Sequence, residues 1–306
     1  MPDISIKVAG LFLLASGLVS SMPGLAASEG SIKLGVLEDL PGHYAGQPHF
    51  RAVRVVFQRN GREWRPYPSD CPDQRCLKSI SAMYPESVTW TVGLSGKVLG
   101  QVNGHTPRDF QWYSDVGLQR LASSGPVPTV GKRSMEYAGY LGEPVFRSLI
   151  VSSAPYFADP DAWKRLRLSK STVRALRLQF RHRFPKVWSC KSPHEDEPRR
   201  WHYSDSDIRV AEAYIARTEW ALAELRLTGD GCDGPAGDPF VSHWFVISPK
   251  DQVRYLDSGL NFLDAGDYDQ SGKSAVVFAI DRDNRGGYEL FYDDFRRRAV
   301  FQFSYH

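Results

Sequence analysis

The chain has 306 residues, a formal net charge of +3, 42% hydrophobic residues and 12% aromatic residues. A chain of this length and composition can bury a hydrophobic core as one large domain or two small ones. Its charge is too small to single out a partner, and nucleic acid is not expected as one.

The first residues have the order of features that is typical of a secretory signal peptide. Lys7 precedes the apolar run Val8–Val19, and the small residues Gly24 and Ala26 follow. The run is too short to cross a bilayer, which takes roughly 20 apolar residues, so a retained membrane anchor is the weaker alternative. We therefore expect residues 1–26 to be removed and the mature chain 27–306 to be periplasmic or secreted, without a transmembrane anchor.

All four cysteines lie in the mature part of the chain: Cys71, Cys76, Cys190 and Cys232. An even number in an exported protein favours two disulfide bonds. The simplest of the three pairings joins Cys71 to Cys76 and Cys190 to Cys232. A zinc site is the alternative, although zinc ribbons use more closely spaced pairs.

Most of the chain is expected to form short strands separated by turn residues. Asn60-Gly61 and Ser95-Gly96 are suited to tight hairpins between such strands. The predicted strands are Arg51–Gln58, Glu63–Tyr67, Val88–Leu94, Lys97–Val102, His243–Ile247, Val253–Leu256, Ala275–Ile280, Tyr288–Tyr292 and Ala299–Tyr305.

A helical insertion is predicted at about 156–216 within a single β-rich domain. Its best segment is Ser169–Phe184, where Ser169 is a suitable N-cap and apolar residues recur at helical spacing. Further helices are predicted over Asp159–Leu166 and from Ser204 through Ile215. Thr218–Leu227 is predicted as a strand, although its leucines would also continue the second of these helices.

One acidic segment has a spacing that suits calcium. It runs from Asp264 to Ala275 and precedes the aliphatic residues Val276, Val277 and Phe278. Oxygen-bearing side chains at alternate positions, with a glycine at position six, allow a short loop to surround a hard cation.

This segment resembles the calcium loop of FG-GAP and VCBS repeats, which occur in integrin-like β-propellers, and the resemblance covers residues 262–281. It implies that Asp267, Asp269 and Ser271 provide side-chain ligands for Ca²⁺ and that Lys273 provides a backbone carbonyl. Ala275 stands where the family has an acidic ligand. The alternative is a tight turn whose Asp and Ser side chains bond their own backbone.

The resemblance also implies a fold. We expect a mainly β protein, a propeller-like stack of small antiparallel sheets with the helical insertion, in which residues 262–306 form one FG-GAP-like unit. A β-sandwich is the alternative, because the same short strands would satisfy it.

Basic residues recur along one face of the helix predicted after Ser169. They are Lys170, Arg174, Arg177 and Arg181. A stripe of this kind suits an acidic glycan, an acidic lipid surface or an acidic protein. The alternative is an ordinary solvated face.

No catalytic motif stands out in the sequence, and none of the eight histidines has a recurrent ligand or triad spacing. We therefore expect an exported, non-catalytic binding or cell-envelope-associated protein with a structural calcium loop. A secreted hydrolase whose site is assembled from dispersed residues is the alternative.

Overall fold

The computed structural model describes residues 31–40, 49–122, 125–131, 146–155, 157–189, 200–228, 231–232, 242–282 and 285–304. Over these ranges the chain is mainly β, with antiparallel sheets, which confirms the expected class. The predicted signal peptide lies outside these residues, and so does Cys190 with the pairing predicted for it. Cys71 and Cys76 form the predicted disulfide bond.

Six strands in the first half of the chain close into an antiparallel barrel, which is neither of the architectures expected from the sequence. Around the ring the strands follow the order first, seventh, fourth, fifth, sixth and second, and the second pairs back to the first. The third strand pairs with the second outside the ring. The seven are β1 (Lys33–Leu40), β2 (Phe50–Asn60), β3 (Glu63–Pro66), β4 (Ser87–Leu94), β5 (Lys97–His105), β6 (Leu118–Leu121) and β7 (Leu149–Ser152).

The two predicted hairpin turns are confirmed. Asn60 ends β2 and the turn at Gly61 leads into β3, whereas Ser95-Gly96 connects β4 to β5. Gly61 and Gly96 have φ angles of 60° and 72°, in the left-handed region where glycine is favoured.

The second half of the chain forms three further antiparallel sheets. Its strands are β8 (Lys164–Arg165), β9 (Val187–Ser189), β10 (Arg200–Trp201), β11 (Ile208–Ile215), β12 (Ala221–Leu227), β13 (Gly231–Cys232), β14 (His243–Ile247), β15 (Val253–Ser258), β16 (Leu260–Gly266), β17 (Ala275–Arg282), β18 (Arg285–Tyr292) and β19 (Arg297–Ser304). A five-stranded sheet has the order β15-β14-β12-β11-β8, and a four-stranded meander has the order β16-β17-β18-β19. A small sheet joins β10, β9 and β13.

The meander packs against other parts of the protein on both faces, and most residues of its central strands β17 and β18 are buried. One face, which includes Val277 and Phe301, packs on the barrel core. The other face, which includes Phe278 and Phe291, packs on Trp244 of the five-stranded sheet. The meander is therefore a layer between the barrel and the five-stranded sheet.

Two helices are present in the described part of the chain. They are α1 (Gln74–Ile80) and α2 (Lys170–Arg183), beside short 3₁₀ turns at Ser81–Met83 and Tyr113–Asp115. The N-cap predicted for α2 is confirmed, because Ser169 Oγ accepts a hydrogen bond from the Thr172 N–H at 3.1 Å. Leu176 and Phe180 anchor α2 to the outer face of the five-stranded sheet. No described helix has the length and apolar character needed to cross a membrane.

The other two helices predicted within the insertion are wrong. Asp159–Leu166 forms a turn and the short strand β8, and the segment predicted as helix after Ser204 forms β11. Ser204 and Asp207 are joined by a hydrogen bond, in which the Ser204 N–H donates to Asp207 Oδ2 at 2.6 Å. This bond closes a turn and does not begin a helix. β11 then pairs with β12 on one side and with β8 on the other, so tertiary pairing overrides the local helical pattern.

Candidate functional site

The predicted calcium loop connects β16 to β17, and its two carboxylates bond the loop's own backbone. The buried Asp267 accepts the Ser271 N–H through Oδ1 and the Gly272 N–H through Oδ2, both at 2.8 Å. Asp269 Oδ1 also accepts from the Ser271 N–H, at 3.0 Å. The loop passes through left-handed φ angles of 59° at Gln270 and 81° at Gly272. These bonds are those of an Asx-type turn, which is the alternative that the sequence leaves open.

The other two predicted ligands differ in position. Ser271 Oγ lies 3.4 Å from Asp267 Oδ1, so this hydroxyl stays with the carboxylates. Lys273 is predicted to contribute its backbone carbonyl, which stays a prediction, and its ammonium donates to Asp294 Oδ2 at 3.2 Å. The structure therefore brings Asp267, Asp269 and Ser271 together, and it places the Lys273 ammonium on the turn between β18 and β19.

A guanidinium from the barrel lies beside the loop. Arg59, near the end of β2, forms an ion pair with Asp269. Burial lowers the pKa of Arg59, and the charge of Asp267 opposes that shift. Nothing in the sequence spacing indicates this pair, because the barrel and the meander meet only in the folded protein.

The groups around the loop can be compared with the ligands that calcium uses. Calcium takes six to eight oxygen ligands. Within the described ranges, no group of three or more His, Cys, Asp or Glu side chains is arranged to hold a metal ion. Asp267 and Asp269 also lie beside the positive charge of Arg59. Occupancy of the loop by Ca²⁺ stays a prediction.

Two further aspartates fasten the end of the loop. Ser274 Oγ donates to Asp159 Oδ1 at 2.7 Å, and the Ser274 N–H donates to Asp161 Oδ2 at 2.9 Å. The Asp267 N–H also donates to the carbonyl of Ala158 at 2.7 Å. The segment after β7 therefore holds the loop near both of its ends, at Asp267 and at Ser274.

A buried carboxyl lies just before the loop, on β16. Burial raises the pKa of Asp264 to about 7, while a hydrogen bond from Ser95 and the charge of Arg147 lower it. The neighbouring Tyr268 is fully buried, and its hydroxyl has no hydrogen-bond partner among the described residues. Burial, followed by the charges of Asp264 and Asp159, raises the pKa of Tyr268. A carboxyl that titrates near neutrality is typical of functional sites, but this one is enclosed between the barrel and the meander.

The predicted basic stripe lies on the outer side of α2, although its four members are not equivalent. Lys170 and Arg174 are exposed, and neither has an acidic partner in the described part of the chain. Arg177 is half-buried and donates to the Ile208 carbonyl from Nε and Nη2. Arg181 forms an ion pair with Asp205 at 2.8 Å. Two cations of the stripe are thus available to a partner, and two are already engaged.

The basic character extends beyond α2. Residues 164–186 contain nine Lys and Arg residues and no Asp or Glu. Arg183 lies with its guanidinium carbon 5.3 Å from the centre of the Tyr255 ring on β15. We call the exposed cations of residues 164–186 the α2 basic surface.

Comparison with models of known protein families, with curated proteins and with solved structures finds no match for this chain.

Proposed function

We propose that this chain is an exported, non-catalytic binding protein of the cell envelope that holds an acidic polymer on the α2 basic surface. The observation that carries the proposal is the run of nine basic residues over 164–186 without an intervening carboxylate. These residues create a positive electrostatic potential. Because the net charge of the whole chain is only +3, this potential is local to the surface that carries them.

The way in which α2 is anchored supports the proposal. The side chains of Leu176 and Phe180 are fully buried against Phe245 and its neighbours, so the helix is fixed before any partner binds. A fixed array of cations loses less conformational freedom on binding than a flexible basic segment does. Lys170 and Arg174 project from the free side of this helix.

The strength of the interaction should depend on salt. A single exposed ion pair contributes roughly 0.2–1 kcal/mol, so an acidic polymer must contact several cations at once to bind. Exposed charges are screened over about 10 Å at 0.1 M salt, so raising the ionic strength should release the polymer.

Retention on immobilised heparin tests the proposal. We expect the mature protein to be retained and the double variant Lys170→Glu/Arg174→Glu to elute at clearly lower salt. A matched control is Lys78→Glu/Arg75→Glu on α1, which changes the total charge equally at two exposed helical positions. If both variants elute at the same lowered salt concentration, or if neither changes its elution, a role for the α2 basic surface is refuted.

We also propose that β16–β19 form a propeller-type unit whose loop takes a structural Ca²⁺. Two features support this: the unit is a four-stranded antiparallel meander, and its acidic loop directly precedes the buried strand β17. Calorimetric titration with calcium tests the ion, and heat of binding that is lost in Asp267→Asn is the expected result.

A further inference from the structure

A second basic surface lies at the open edge of the five-stranded sheet. A concavity of about 320 Å³ separates β15 from the turn between β18 and β19. Four arginines line it, Arg254 and Arg296–Arg298, over a floor that includes Phe291 and Phe295. None of the described residues that line it is acidic. We call it the arginine groove.

The guanidinium groups of the arginine groove are held in place. Arg254 Nη2 donates to the Phe295 carbonyl at 2.7 Å, and Arg298 Nη1 donates to the buried Glu289 at 3.0 Å. Arg296 donates to the carbonyl and the carboxylate of Asp293 at 3.0 and 2.7 Å. The hydrogen bonds of any one of these arginines engage at most three of its five N–H donors, so further donors remain for a ligand.

The wall of the groove is a strained turn. Asp293, Asp294 and Phe295 are consecutive and have φ angles of 53°, 55° and 60°. The left-handed conformation costs roughly 1–2 kcal/mol for each such residue. The turn persists because the Phe295 ring is buried against Trp163 and Trp220, with ring centres 6.0 and 5.6 Å away. Strain that the surroundings hold in this way is typical of binding sites, and here it sets the direction of Arg296.

The arginine groove and the α2 basic surface lie on the two sides of the same edge strand. On β15, Tyr255 faces α2 and contacts Arg183, whereas the adjacent Arg254 faces the groove. Successive residues of a strand point to opposite faces, so one extended polymer can reach both surfaces around this edge.

We propose that the arginine groove binds one tetrahedral oxyanion, a phosphate or sulfate ester, carried by the acidic polymer. This inference rests on the proposed function and names the group that the polymer must carry. Planar guanidinium forks match the oxygen geometry of such esters and bond them in pairs. Carboxylates partly neutralise three of the four arginines, so binding of an isolated ester is weak and depends on geometry more than on net charge. Arg296 pairs with Asp293 and Asp294, Arg297 with Glu63 and Asp293, and Arg298 with Asp257 and Glu289.

The test measures binding of two small probes, glycerol phosphate and a sulfated monosaccharide, by calorimetry or by NMR titration of the mature protein. The double variant Arg296→Gln/Arg297→Gln should weaken binding at least tenfold. The matched control Arg75→Gln/Arg108→Gln removes two exposed arginines of the barrel half and should bind as the unmodified protein does. Binding of glycerol phosphate alone assigns a phosphate ester, and binding of the sulfated sugar alone assigns a sulfated glycan.

The variant must also remain folded, because Arg296 supports the strained turn. A melting curve is therefore recorded, and Arg297→Gln alone, which keeps the contact between Arg296 and Asp293, is a second variant. Absence of binding by both probes, or equal binding by the groove variants and the unmodified protein, overturns the inference. Heparin retention distinguishes the two proposals. If only the proposal for the arginine groove is wrong, Lys170→Glu/Arg174→Glu still elutes at lower salt than the unmodified protein. If the proposal for the α2 basic surface is wrong, this variant elutes as the unmodified protein does.

Discussion

The carboxylate of Asp264 on β16 accepts the backbone N–H of Ser95 through both of its oxygens, at 3.0 and 3.2 Å. Ser95 is the first residue of the turn between β4 and β5, and its φ angle is 49°. This contact joins the meander to the barrel through a buried acid whose charged form is costly to keep away from water.

The raised pKa of Asp264 predicts a specific dependence of stability on pH. Its pKa rises from about 4 in an unfolded chain to about 7, so the folded state favours the protonated acid. The stability that the folded protein gains from this preference for the protonated acid is fully present below about pH 4 and is lost as the pH rises to about 7. It amounts to a few kcal/mol at most, because a tenfold change in proton affinity corresponds to roughly 1.4 kcal/mol.

We therefore expect the free energy of unfolding to fall less between pH 4 and pH 8 in Asp264→Asn than in the unmodified protein. Urea unfolding at several pH values measures it. Because Glu224 and Glu289 also have raised pKa values, the difference between the two pH profiles is the relevant quantity. Two parallel profiles would contradict the assignment to Asp264.

Removal of the Arg59 guanidinium should strengthen any binding of calcium by the loop. In Arg59→Gln, Asp267 and Asp269 lose a neighbouring positive charge that opposes a divalent cation. Calcium should then raise the melting temperature more than it does in the unmodified protein, because a ligand that binds only the folded state stabilises it.

The control for this calcium experiment is Arg62→Gln, at the exposed tip of the same hairpin, which should leave the calcium response unchanged. Melting curves with millimolar calcium and with a chelator provide the comparison. If Arg59→Gln melts identically in both conditions, the calcium loop is an Asx-type turn without an ion.

A buried ion pair inside the barrel, between Glu38 on β1 and Arg54 on β2, also accepts a hydrogen bond from Tyr288 of the meander and should be sensitive to the loss of one partner. Arg54 donates to both oxygens of Glu38, at 2.7 and 3.0 Å, and the Tyr288 hydroxyl donates to Glu38 at 2.5 Å. Arg54→Met leaves the Glu38 charge buried without its cation, which should cost about 3–5 kcal/mol in the free energy of unfolding. Tyr288→Phe removes one bond to a charged group and should cost about 1.5–3 kcal/mol.

The double variant Arg54→Met/Glu38→Gln serves as the check on the ion pair, because it removes the orphaned charge. It should be more stable than Arg54→Met alone in urea unfolding at neutral pH. A double variant that is no more stable than the single one would mean that lost packing, rather than the buried charge, dominates.

The disulfide between Cys71 and Cys76 closes a short loop that ends in the first turn of α1, and it should contribute about 2 kcal/mol through the entropy of the unfolded chain. Cys71→Ser/Cys76→Ser should therefore unfold at lower denaturant concentration.

The same variant tests the pairing predicted for Cys190 and Cys232, which should contribute about 4 kcal/mol because its loop is longer. A further loss of stability on adding reductant to the variant is the expected result, and insensitivity to reductant would exclude that second bond.

Local sequence patterns were sufficient for much of the secondary structure. The hairpin at Ser95-Gly96 and the helix capped by Ser169 are confirmed because both depend on interactions a few residues apart. The helix predicted after Ser204 is wrong for the opposite reason: those residues pair with β12 and β8, and such pairing overrides local propensity.

The grouping of functional side chains depends on contacts that no local pattern encodes. The composition of residues 164–186 is enough to indicate the α2 basic surface. The pairing of Arg59 with Asp269 and the meeting of Arg254 with Arg296–Arg298 arise only when separate sheets pack against one another. Burial then determines whether a carboxyl such as Asp264 is charged, because its solvation depends on atoms contributed by strands far apart in the chain.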